Sequence, residues 1–463
     1  MAGRNVPLTA PLTALRGRPV LVAGAAVSGL AAATALSELG ARVTVTDAVA
    51  DRLAALPPGV DGALGLTEPP PGTELVVTSP GWRPDAPLLA AAARAGIEVI
   101  GEPELAWRWP VAAGRPRWLA VTGTNGKTTT VGMLAAILTA AGRDAVACGN
   151  VGTSVIDVVR AGHRELAVEL SSFQLHWSPS LRPDAGCLLN IAEDHLDWHG
   201  DMATYLAAKA GVLAGPVAVA GVDDPLVADA LAAAPAAHRI GITLNAPADG
   251  QLGVRDGALV DRAFSPSVEL VGLDEVHPSG PSGWFDALGA AALARAAGVT
   301  PEQVRDGLAG YRPGPHRGSV VGELGGVRFV DDSKATNPHA ASAALASYSR
   351  VVWLAGGLLK GASVTELIRD HAHRFAGVVL MGTDRGIIRD ALLRHAPDVP
   401  VAEASPGDHG PMTDAVRLAA AMAEPGDVVL LAPAAASLDQ FASYGARGKA
   451  FSDAVAALPA ATR

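Results

Sequence analysis

The chain carries almost all of its positive charge on arginine, so its few lysines stand out as candidate chemical groups. Only five of its 36 basic residues are lysines. Four lie in short motifs, Lys127 in TGTNGKTT, Lys209 in TYLAAKAGV, Lys334 in DDSKATN and Lys360 in GGLLKGA, and the fifth, Lys449, lies in ARGKAF. A lysine ammonium can act as a point charge on phosphate or lose its proton and react, whereas arginine stays protonated. Arginine enrichment explains why lysine is scarce but not where the remaining lysines fall.

The strongest local signal is a glycine-rich turn between the apolar run WLAVT and the helical stretch VGMLAAILTAAG. Its residues are Gly123, Thr124, Asn125, Gly126, Lys127, Thr128 and Thr129. Such a turn presents backbone N–H groups and the positive end of a helix dipole to phosphate. Lys127 is then placed to reach the β- and γ-phosphates, and the Thr128 hydroxyl to bind Mg²⁺. The spacing is two residues shorter than in GxxxxGK[ST], and an ordinary glycine turn at a helix start is the alternative.

A second constellation pairs Glu169 in VELSSFQL with His195 in NIAEDHLDWHG. Both follow apolar runs, and ligands of parallel α/β sheets collect where strands end. A carboxylate, an imidazole and the hydroxyl of Thr128 can together hold a divalent cation. Mg²⁺ prefers oxygen ligands, however, so an ordinary loop histidine is the alternative for His195.

Lys209 falls in the predicted helix DMATYLAAKAGVL, with Asp201 as its candidate N-cap. A lone helical lysine is normally solvated, and nothing in its immediate sequence indicates reactivity.

The N-terminal run from Gly24 to Gly29 resembles a dinucleotide-binding turn but lacks the GxGxxG pattern, and Asp47 ends the next predicted strand. These features favour a nucleotide phosphate at a helix start, with NAD as a remote alternative. Near the other end of the chain, Lys334, Thr336, Lys360 and Ser437 all follow predicted strands. They can converge on a small carboxylated substrate, although ordinary surface lysines would also fit.

Strands alternate with alanine-rich helices along the chain, which predicts an α/β fold built from βαβ units and parallel sheets. Breaks near residues 107–117 and 311–315 divide it into three predicted domains, 1–112, 113–313 and 314–463. The first and third are predicted to be Rossmann-like, and the second to be a P-loop-type ATPase domain.

The composition excludes several classes of protein. The net charge of −10 argues against nucleic-acid binding, and no long apolar run predicts membrane insertion. The two cysteines, Cys148 and Cys187, indicate neither a disulfide framework nor a zinc cluster and fit a reducing cytoplasm. We expect a cytoplasmic monomer.

The order of these motifs resembles that of the Mur ligases. TGTNGKTT, ELSSFQL, EDHLD, PHR, DDSKATN and SLDQF occur in the same order, and the resemblance runs from about Val20 to Phe451. DDSKATN and SLDQF are typical of the members that add D-glutamate. The resemblance implies an ATP- and Mg²⁺-dependent amide ligase of peptidoglycan precursor synthesis, with UDP-N-acetylmuramoyl-L-alanine and D-glutamate as substrates and an acyl phosphate as intermediate.

The resemblance also implies roles for matching residues. The UDP substrate would be bound by Ser28, Gly29, Leu30, Asp47, Ser79, Pro80, Gly81 and Asn150. ATP would be bound by residues 123–129 together with Asp286, Arg317 and Asp332. Magnesium would be held by Thr128, Glu169 and His195, and a second ion by Lys209 after carbamylation; Lys127, His195 and Lys209 would be catalytic. D-glutamate would be bound by Lys334, Thr336, Lys360, Ser437, Leu438 and Phe441.

Departures from the family pattern keep alternatives open. Asp286 stands where an adenine-side asparagine is usual, Ser319 where a glutamate is common after PHR, and Trp198 where arginine is common. An ionised aspartate accepts hydrogen bonds but does not donate them. A weakly active nucleotide-binding paralogue is one alternative, and a sister Mur ligase that uses another amino acid is the other.

Overall fold

The computed structural model describes residues 11–112, 114–405 and 410–459. They build three β-sheets flanked by helices, which confirms the predicted α/β class. The first and second sheets belong to one compact unit, and the third belongs to another. The predicted boundary between residues 112 and 113 adjoins Ala113, which lies outside the described residues, as do the chain ends at 1–10 and 460–463.

In the described residues the first sheet has five parallel strands in the order β3-β2-β1-β4-β5. The strands are β1 Pro19–Ala23, β2 Arg42–Asp47, β3 Asp61–Leu64, β4 Leu75–Thr78 and β5 Glu98–Gly101. The helices are α1 Val27–Leu39, α2 Ala50–Leu53, α3 Pro87–Arg94 and α4 Glu102–Trp107, after a 3-10 turn at Leu12–Leu15. This strand order is that of a Rossmann half, and it brings the ends of β1, β2 and β4 to one edge.

The second sheet has nine strands in the described residues, and its strand β6 leads into the candidate phosphate-binding turn. Its strands are β6 Arg117–Thr122, β7 Ala145–Gly149, β8 Glu165–Glu169, β9 Ala185–Leu188, β10 Val217–Gly221, β11 His238–Ile242, β12 Gln251–Arg255, β13 Ala258–Asp261 and β14 Val268–Gly272. Their order is β14-β13-β12-β11-β10-β9-β6-β8-β7.

The helices of this region are α5 Lys127–Ala140, α6 Val155–Ala161, α7 Ser172–His176, α8 Leu196–His199, α9 Met202–Ala210, α10 Pro225–Ala233, α11 Pro281–Ala296 and α12 Pro301–Gly310. Two 3-10 turns lie at Gly211–Ala214 and Leu273–Glu275. Strands β6 and β8 are parallel neighbours with completely buried interiors, so the residues that follow them are held close together.

The third sheet has the order β15-β16-β20-β17-β18-β19. Its strands are β15 Ser319–Leu324, β16 Val327–Asp331, β17 Val351–Gly356, β18 Phe375–Met381, β19 Val401–Glu403 and β20 Val428–Leu431. Its helices are α13 Pro338–Ala346, α14 Thr365–His371, α15 Arg385–His395, α16 Pro411–Met422 and α17 Tyr444–Ala456, with a 3-10 turn at Ala372–Arg374. Four parallel neighbours, β16, β20, β17 and β18, therefore end at one edge.

Among the strand pairs whose direction is described, two differ from the parallel pattern predicted from the sequence. Strands β12 and β13 pair antiparallel around Asp256 and Gly257, and β15 and β16 do so around Gly325 and Gly326. All four turn residues have positive φ, between 53° and 78°. Two such residues form the tight turn whose twist suits a hairpin, so the Asp-Gly and Gly-Gly pairs were signals that the sequence analysis did not use.

A buried carboxyl group links a helix that flanks the first sheet to a helix that flanks the second. Glu102, the first residue of α4, is 1% exposed, and its Oε1 accepts a hydrogen bond of 2.6 Å from the amide of Ile156 in α6. Burial raises the pKa of Glu102 to about 7, with a further contribution from Asp157, although the amides of Ile156 and Val155 oppose the shift.

Both cysteines are also buried as free thiols, and burial raises the pKa of each far above its ordinary value. No helix among the described residues has the length and apolar character needed to cross a membrane.

Glu102→Gln should change how stability depends on pH. Because the folded-state pKa lies above the unfolded value, wild-type stability falls as pH rises from about 4.5 to about 7. Glutamine keeps the acceptor oxygen but cannot ionise. The variant should therefore gain stability relative to wild type across this range, by up to about 3 kcal/mol.

Urea denaturation at pH 5 and pH 8 measures the difference, with the exposed Glu68→Gln as control. An equal offset between Glu102→Gln and wild type at both pH values would contradict the assignment.

Candidate functional site

The turn after β6 has a conformation that requires glycine. Gly126 caps α5 with φ +86°, and Gly123 has φ +159°. A Cβ on Gly126 would lie 2.2 Å from Oδ1 of Asp286, which itself is 5% exposed. The turn is therefore packed against Asp286 of α11, and this brings the residue that departs from the family pattern directly to the phosphate-binding turn.

Asn190, which the sequence analysis missed, fixes the middle of the turn. Its backbone carbonyl accepts from the amide of Thr124 at 3.0 Å, and its Oδ1 accepts from the amide of Asn125 at 3.0 Å. Asn190 follows the buried strand β9, a neighbour of β6. Its position after an apolar run was the available signal, since Glu169 and His195 were recognised in that way.

Lys127 begins α5 and lies along the turn. Its Nζ donates to the carbonyl oxygens of Gly123 and Thr124, each at 2.8 Å. The ammonium therefore stands among the backbone groups that would cradle a phosphate, at the N-terminus of a 14-residue helix. Both the helix dipole and the lysine favour an anion here. Thr129, the third residue of the helix, is buried.

The side chains of Thr128 and Glu169, both predicted as magnesium ligands, are hydrogen-bonded to each other. The Thr128 hydroxyl donates to Oε2 of Glu169 at 2.6 Å, and the carboxylate is 3% exposed. Asn150, assigned from the resemblance to the UDP substrate, donates from Nδ2 to the other oxygen, Oε1, at 2.9 Å. The carboxylate is thus oriented from both sides, with the oxygen ligands that Mg²⁺ prefers.

Lys209 is buried, contrary to the solvated surface position that its local sequence indicated. It is 2% exposed, its Nζ donates to the carbonyl of Gly123 at 2.7 Å, and it lies 4.9 Å from the centroid of the Tyr205 ring. The Tyr205 hydroxyl in turn hydrogen-bonds the Thr124 hydroxyl at 3.1 Å. Tyr205 and Lys209 are four residues apart in α9, which starts at the predicted cap Asp201.

His195 adopts a left-handed conformation, with φ 54°, and its ring lies 4.7 Å from that of Phe173. Within residues 11–112, 114–405 and 410–459, no cluster of three or more His, Cys, Asp or Glu side chains is arranged to hold a metal. The structure thus pairs Thr128 with Glu169 and gives no preformed cluster that includes His195.

The ring of His199 also stacks on Phe173. Its ring lies parallel to Phe173 at 5.6 Å, and its Nε2 shares a hydrogen bond of 2.9 Å with the Ser172 hydroxyl. Burial lowers the pKa of His199 to about 4, assisted by His176, His195 and Lys209. His199 is therefore neutral near pH 7.

The N-terminal turn is equally tight. A Cβ on Gly29 would lie 1.8 Å from the carbonyl oxygen of Gly24, and one on Gly24 would lie 2.5 Å from Oγ of Ser79. The turns after β1 and β4 are thus in contact. Ser28, Leu30 and Pro80 are partly exposed and Gly81 is exposed at this edge.

Asp47 organises the same edge. Its Oδ2 accepts from the amide of Ala25 at 2.8 Å and its Oδ1 from that of Val49 at 2.9 Å. Although burial opposes the shift, these amides and Arg52 hold the pKa of Asp47 below its ordinary value. The structure brings Asp47 and Ser79 together with the turn at Gly24–Gly29.

In the second unit, the PHR segment is tied to the DDSKATN segment. His316 has φ 65°, and its Nδ1 shares a hydrogen bond of 2.6 Å with Oδ2 of Asp331, while its carbonyl accepts from the amide of Lys334. Burial raises the pKa of Asp332 to about 7, against the lowering effect of Arg317. The hydrogen bond between His316 and Lys334 shows that the segments carrying Arg317 and Asp332 adjoin.

The candidate amino-acid residues occupy the turns at the ends of β16, β17 and β20. Lys334 Nζ lies 4.1 Å from the centroid of the Tyr444 ring, an aromatic contact that the sequence analysis missed. Thr336 is partly exposed, Lys360 is exposed and Ser437 is 3% exposed.

The last two candidate D-glutamate residues, Leu438 and Phe441, differ in how far they are exposed. Leu438 is 67% exposed, whereas Phe441 packs against the apolar cluster that includes Phe329 and Phe451. Phe441 also lines a shallow groove beside Met412, Ala450 and Asp453.

Comparison with known proteins identifies the family to which this chain belongs. The Mur ligase middle domain matches residues 121–256, and the glutamate ligase domain of Mur ligases matches residues 316–435. The UDP-N-acetylmuramoylalanine–D-glutamate ligase of Mycolicibacterium smegmatis is 53% identical, over 97% of this chain and 98% of that protein. The chain belongs to the Mur ligase family. The corresponding ligase of Rhodococcus jostii is also 53% identical, over 96% of each chain.

Solved Mur ligases share the fold. The UDP-N-acetylmuramate-alanine ligase of Thermotoga maritima superposes with a TM-score of 0.55 at 17% identity, over 94% of this chain and 98% of that one. A second Thermotoga maritima Mur ligase, solved with ADP, gives a TM-score of 0.54 at 18% identity, over 83% and 88%. At these identities the likeness concerns the fold. The Mur ligases are ATP-dependent, which fits the phosphate-binding turn of this member.

Gly126→Ala should weaken nucleotide binding in this Mur ligase. The new Cβ would collide with Asp286, and the left-handed backbone would be strained. We expect the Kd for Mg·ATP to rise about tenfold or more, which titration calorimetry measures.

Gly142→Ala is the matched control. Gly142 follows the same helix with φ +73°, but no heavy atom lies within 4 Å of its Cβ position. Equal ATP affinities in the two variants would remove the case for Gly126 as part of the nucleotide site.

Proposed function

We propose that this Mur ligase uses ATP to join D-glutamate to UDP-N-acetylmuramoyl-L-alanine, as a step of peptidoglycan precursor synthesis. The observation that carries the proposal is 53% identity to a UDP-N-acetylmuramoylalanine–D-glutamate ligase over 97% of the chain. The closely packed turn of residues 123–126 suits the phosphate chemistry of such a ligase. Lys127 donates a hydrogen bond to this turn, and Thr128 donates one to Glu169.

The residues present fit a magnesium ion. Thr128 and Glu169 offer hydroxyl and carboxylate oxygens 2.6 Å apart, and oxygen ligands suit Mg²⁺. His195 would be the further ligand of this site, and Lys209, once carbamylated, would offer carboxylate oxygens to a second one. Bound there, magnesium would neutralise charge on the transferred phosphoryl group.

In the proposed first step, the alanyl carboxylate oxygen attacks the γ-phosphorus of ATP. The bond from that phosphorus to the bridging oxygen breaks, and ADP leaves. The Lys127 ammonium and the amides at the start of α5 stabilise the charge that develops on the phosphoryl oxygens. Catalysis of this step depends mainly on positioning of the phosphate groups and on electrostatic stabilisation. A turn with little conformational freedom suits both requirements.

In the second step, the D-glutamate amine attacks the acyl carbon and the C–O bond to phosphate breaks. The nitrogen loses a proton as the amide forms. Lys334, Thr336, Lys360 and Ser437, with Leu438 and Phe441, are the proposed amino-acid residues. Water would hydrolyse the acyl phosphate, so the site must exclude it.

The remaining assignments follow from the same proposal. Domain 1–112 binds the UDP portion at Ser28, Gly29, Leu30, Asp47 and residues 79–81, with Asn150 near the sugar. Domain 113–313 binds ATP, including Asp286, and domain 314–463 contributes Arg317 and Asp332. The enzyme acts as a cytoplasmic monomer.

Phosphate release should depend on one amino acid. Purified protein with Mg·ATP and UDP-N-acetylmuramoyl-L-alanine should release phosphate when D-glutamate is added, and not with L-glutamate or without an amino acid. Release with a different amino acid would point to a sister ligase, and ATP binding without any release would favour the inactive paralogue.

Lys209→Arg should abolish turnover. A guanidinium does not form the carbamate, and it is too large for a site that is 2% exposed and 2.7 Å from the Gly123 carbonyl. Phosphate release at saturating substrates, with and without added bicarbonate, measures the effect.

Lys449→Arg is the control, because Lys449 is exposed and pairs only with Asp453 on its own helix in the described contacts. Wild-type turnover by Lys209→Arg would remove the carbamate from the mechanism.

A further inference from the structure

A turn with no assigned role lies beside two of the proposed D-glutamate segments. It comprises Gly382, Thr383 and Asp384, between β18 and α15. Strand β18 pairs with β17, which leads to Lys360, and β17 pairs with β20, which leads to Ser437. The three turns therefore leave neighbouring strands at the same edge of the sheet.

The turn is bonded to the Lys360 segment through Asp384. Oδ2 of Asp384 accepts from the amide of Leu359 at 2.8 Å, and the Asp384 amide donates to the carbonyl of Gly357 at 3.0 Å. Asp384 is also the N-cap residue of α15, where an aspartate normally bonds the first helical amides. Its side chain makes no capping bond here. The carboxylate is therefore directed to the neighbouring segment instead of to its own helix.

The Ser437 segment is bonded to the same turn through Asp439. Oδ2 of Asp439 accepts from the amide of Thr383 at 2.8 Å. The two substrate segments are joined to each other as well, since the amides of Leu358 and Ala436 each donate to the other's carbonyl at 2.9 Å. The turn thus closes a three-way set of bonds that holds both segments.

At the junction two glycines are packed too closely to carry a side chain. A Cβ on Gly382 would lie 2.5 Å from both the nitrogen and Cα of Gly357, and 2.7 Å from Oδ2 of Asp439. A Cβ on Gly357 would lie 2.2 Å from the carbonyl oxygen of Ala436. Three backbones therefore touch at this point, and a shift in one must move the others.

The residue whose backbone this junction constrains is Lys360. It has φ 52°, an unfavourable conformation for a residue with a side chain, and it is exposed. Such strain persists where the surroundings over-determine the backbone. Leu359, the residue before it, is 4% exposed and has its amide fixed by Asp384. Asp384 therefore bonds the residue immediately before the strained backbone of Lys360.

We infer that Asp384 is a positioning residue of the amino-acid site, which fixes the Lys360 segment, and through Asp439 the Ser437 segment, for binding of D-glutamate. This rests on the proposed function. Asp384 bonds the backbone and is not itself proposed to touch the substrate. Loss of the Asp384 carboxylate should therefore weaken binding of the amino acid and leave binding of the two other substrates unchanged.

Asp384→Ala tests the inference, with Asp384→Asn as the conservative variant and Asp390→Ala as the control. Asparagine keeps an oxygen that can accept from Leu359, whereas alanine does not. Asp390 is an exposed acid of the adjoining helix α15. We expect the KM for D-glutamate to rise about tenfold or more in Asp384→Ala, with KM for ATP and the UDP substrate changed less than about twofold. Asp384→Asn and Asp390→Ala should stay within about threefold of wild type.

Amide hydrogen exchange of the ligand-free protein provides a second measurement that does not depend on activity. Peptides covering residues 356–361 should exchange faster in Asp384→Ala than in wild type, Asp384→Asn or Asp390→Ala. Peptides from β15, in the same sheet but away from this junction, report whether the whole unit has been destabilised, and they should be unchanged.

The outcomes separate this inference from the proposed function. If wild type shows D-glutamate-dependent phosphate release and Asp384→Ala has an unchanged KM for D-glutamate, the inference is wrong and the function stands. If wild type shows no such release, the function fails, and exchange at residues 356–361 decides the positioning role alone. Unchanged exchange in Asp384→Ala would overturn it in either case.

Discussion

The candidate ATP site depends on one backbone oxygen, the carbonyl of Gly123, which accepts hydrogen bonds from two lysines. Lys127 reaches it from the start of α5 at 2.8 Å, and Lys209 reaches it from α9 at 2.7 Å. Two ammonium groups on one neutral oxygen repel each other, and burial strengthens that repulsion. The arrangement therefore concentrates positive charge where a polyphosphate would be held, although the chain as a whole is negative. Carbamylation of Lys209 would change the sign of one of these charges and relieve the repulsion.

Close contacts at three glycines restrict the geometry of the candidate ATP site and of the N-terminal turn. A Cβ on Gly126 would collide with the Asp286 side chain, and a Cβ on Gly149 would collide with the carbonyl oxygen of Glu169. In the N-terminal turn, a Cβ on Gly29 would collide with the carbonyl oxygen of Gly24. The two contacts with carbonyl oxygens involve no side-chain rotamers, so they hold local geometry at little side-chain entropic cost.

The sequence predicted these features to different extents, for physical reasons. The candidate phosphate-binding turn and Glu169 could be predicted because the turn follows a buried strand, Glu169 ends another, and parallel strands place their ends together. The burial of Lys209 could not, because it depends on packing of α9 over the Gly123 turn, which no local pattern encodes. Asn190 and Tyr444 act through contacts with residues 65 and 110 positions away, Asn125 and Lys334. The antiparallel pairs were missed although their turn residues, Asp256-Gly257 and Gly325-Gly326, are visible in the sequence.

The burial of Cys148 and Cys187 has a practical consequence for optical spectroscopy. These are the chain's two cysteines, and both thiols are enclosed and hard to ionise. Thiolate is the species that reacts with maleimides, so the natural protein offers them little to modify. A single cysteine introduced at an exposed position, such as Leu393 at 62% exposure, would become a selective attachment point for a fluorophore. The protein can therefore be labelled at one chosen place without removing either native cysteine.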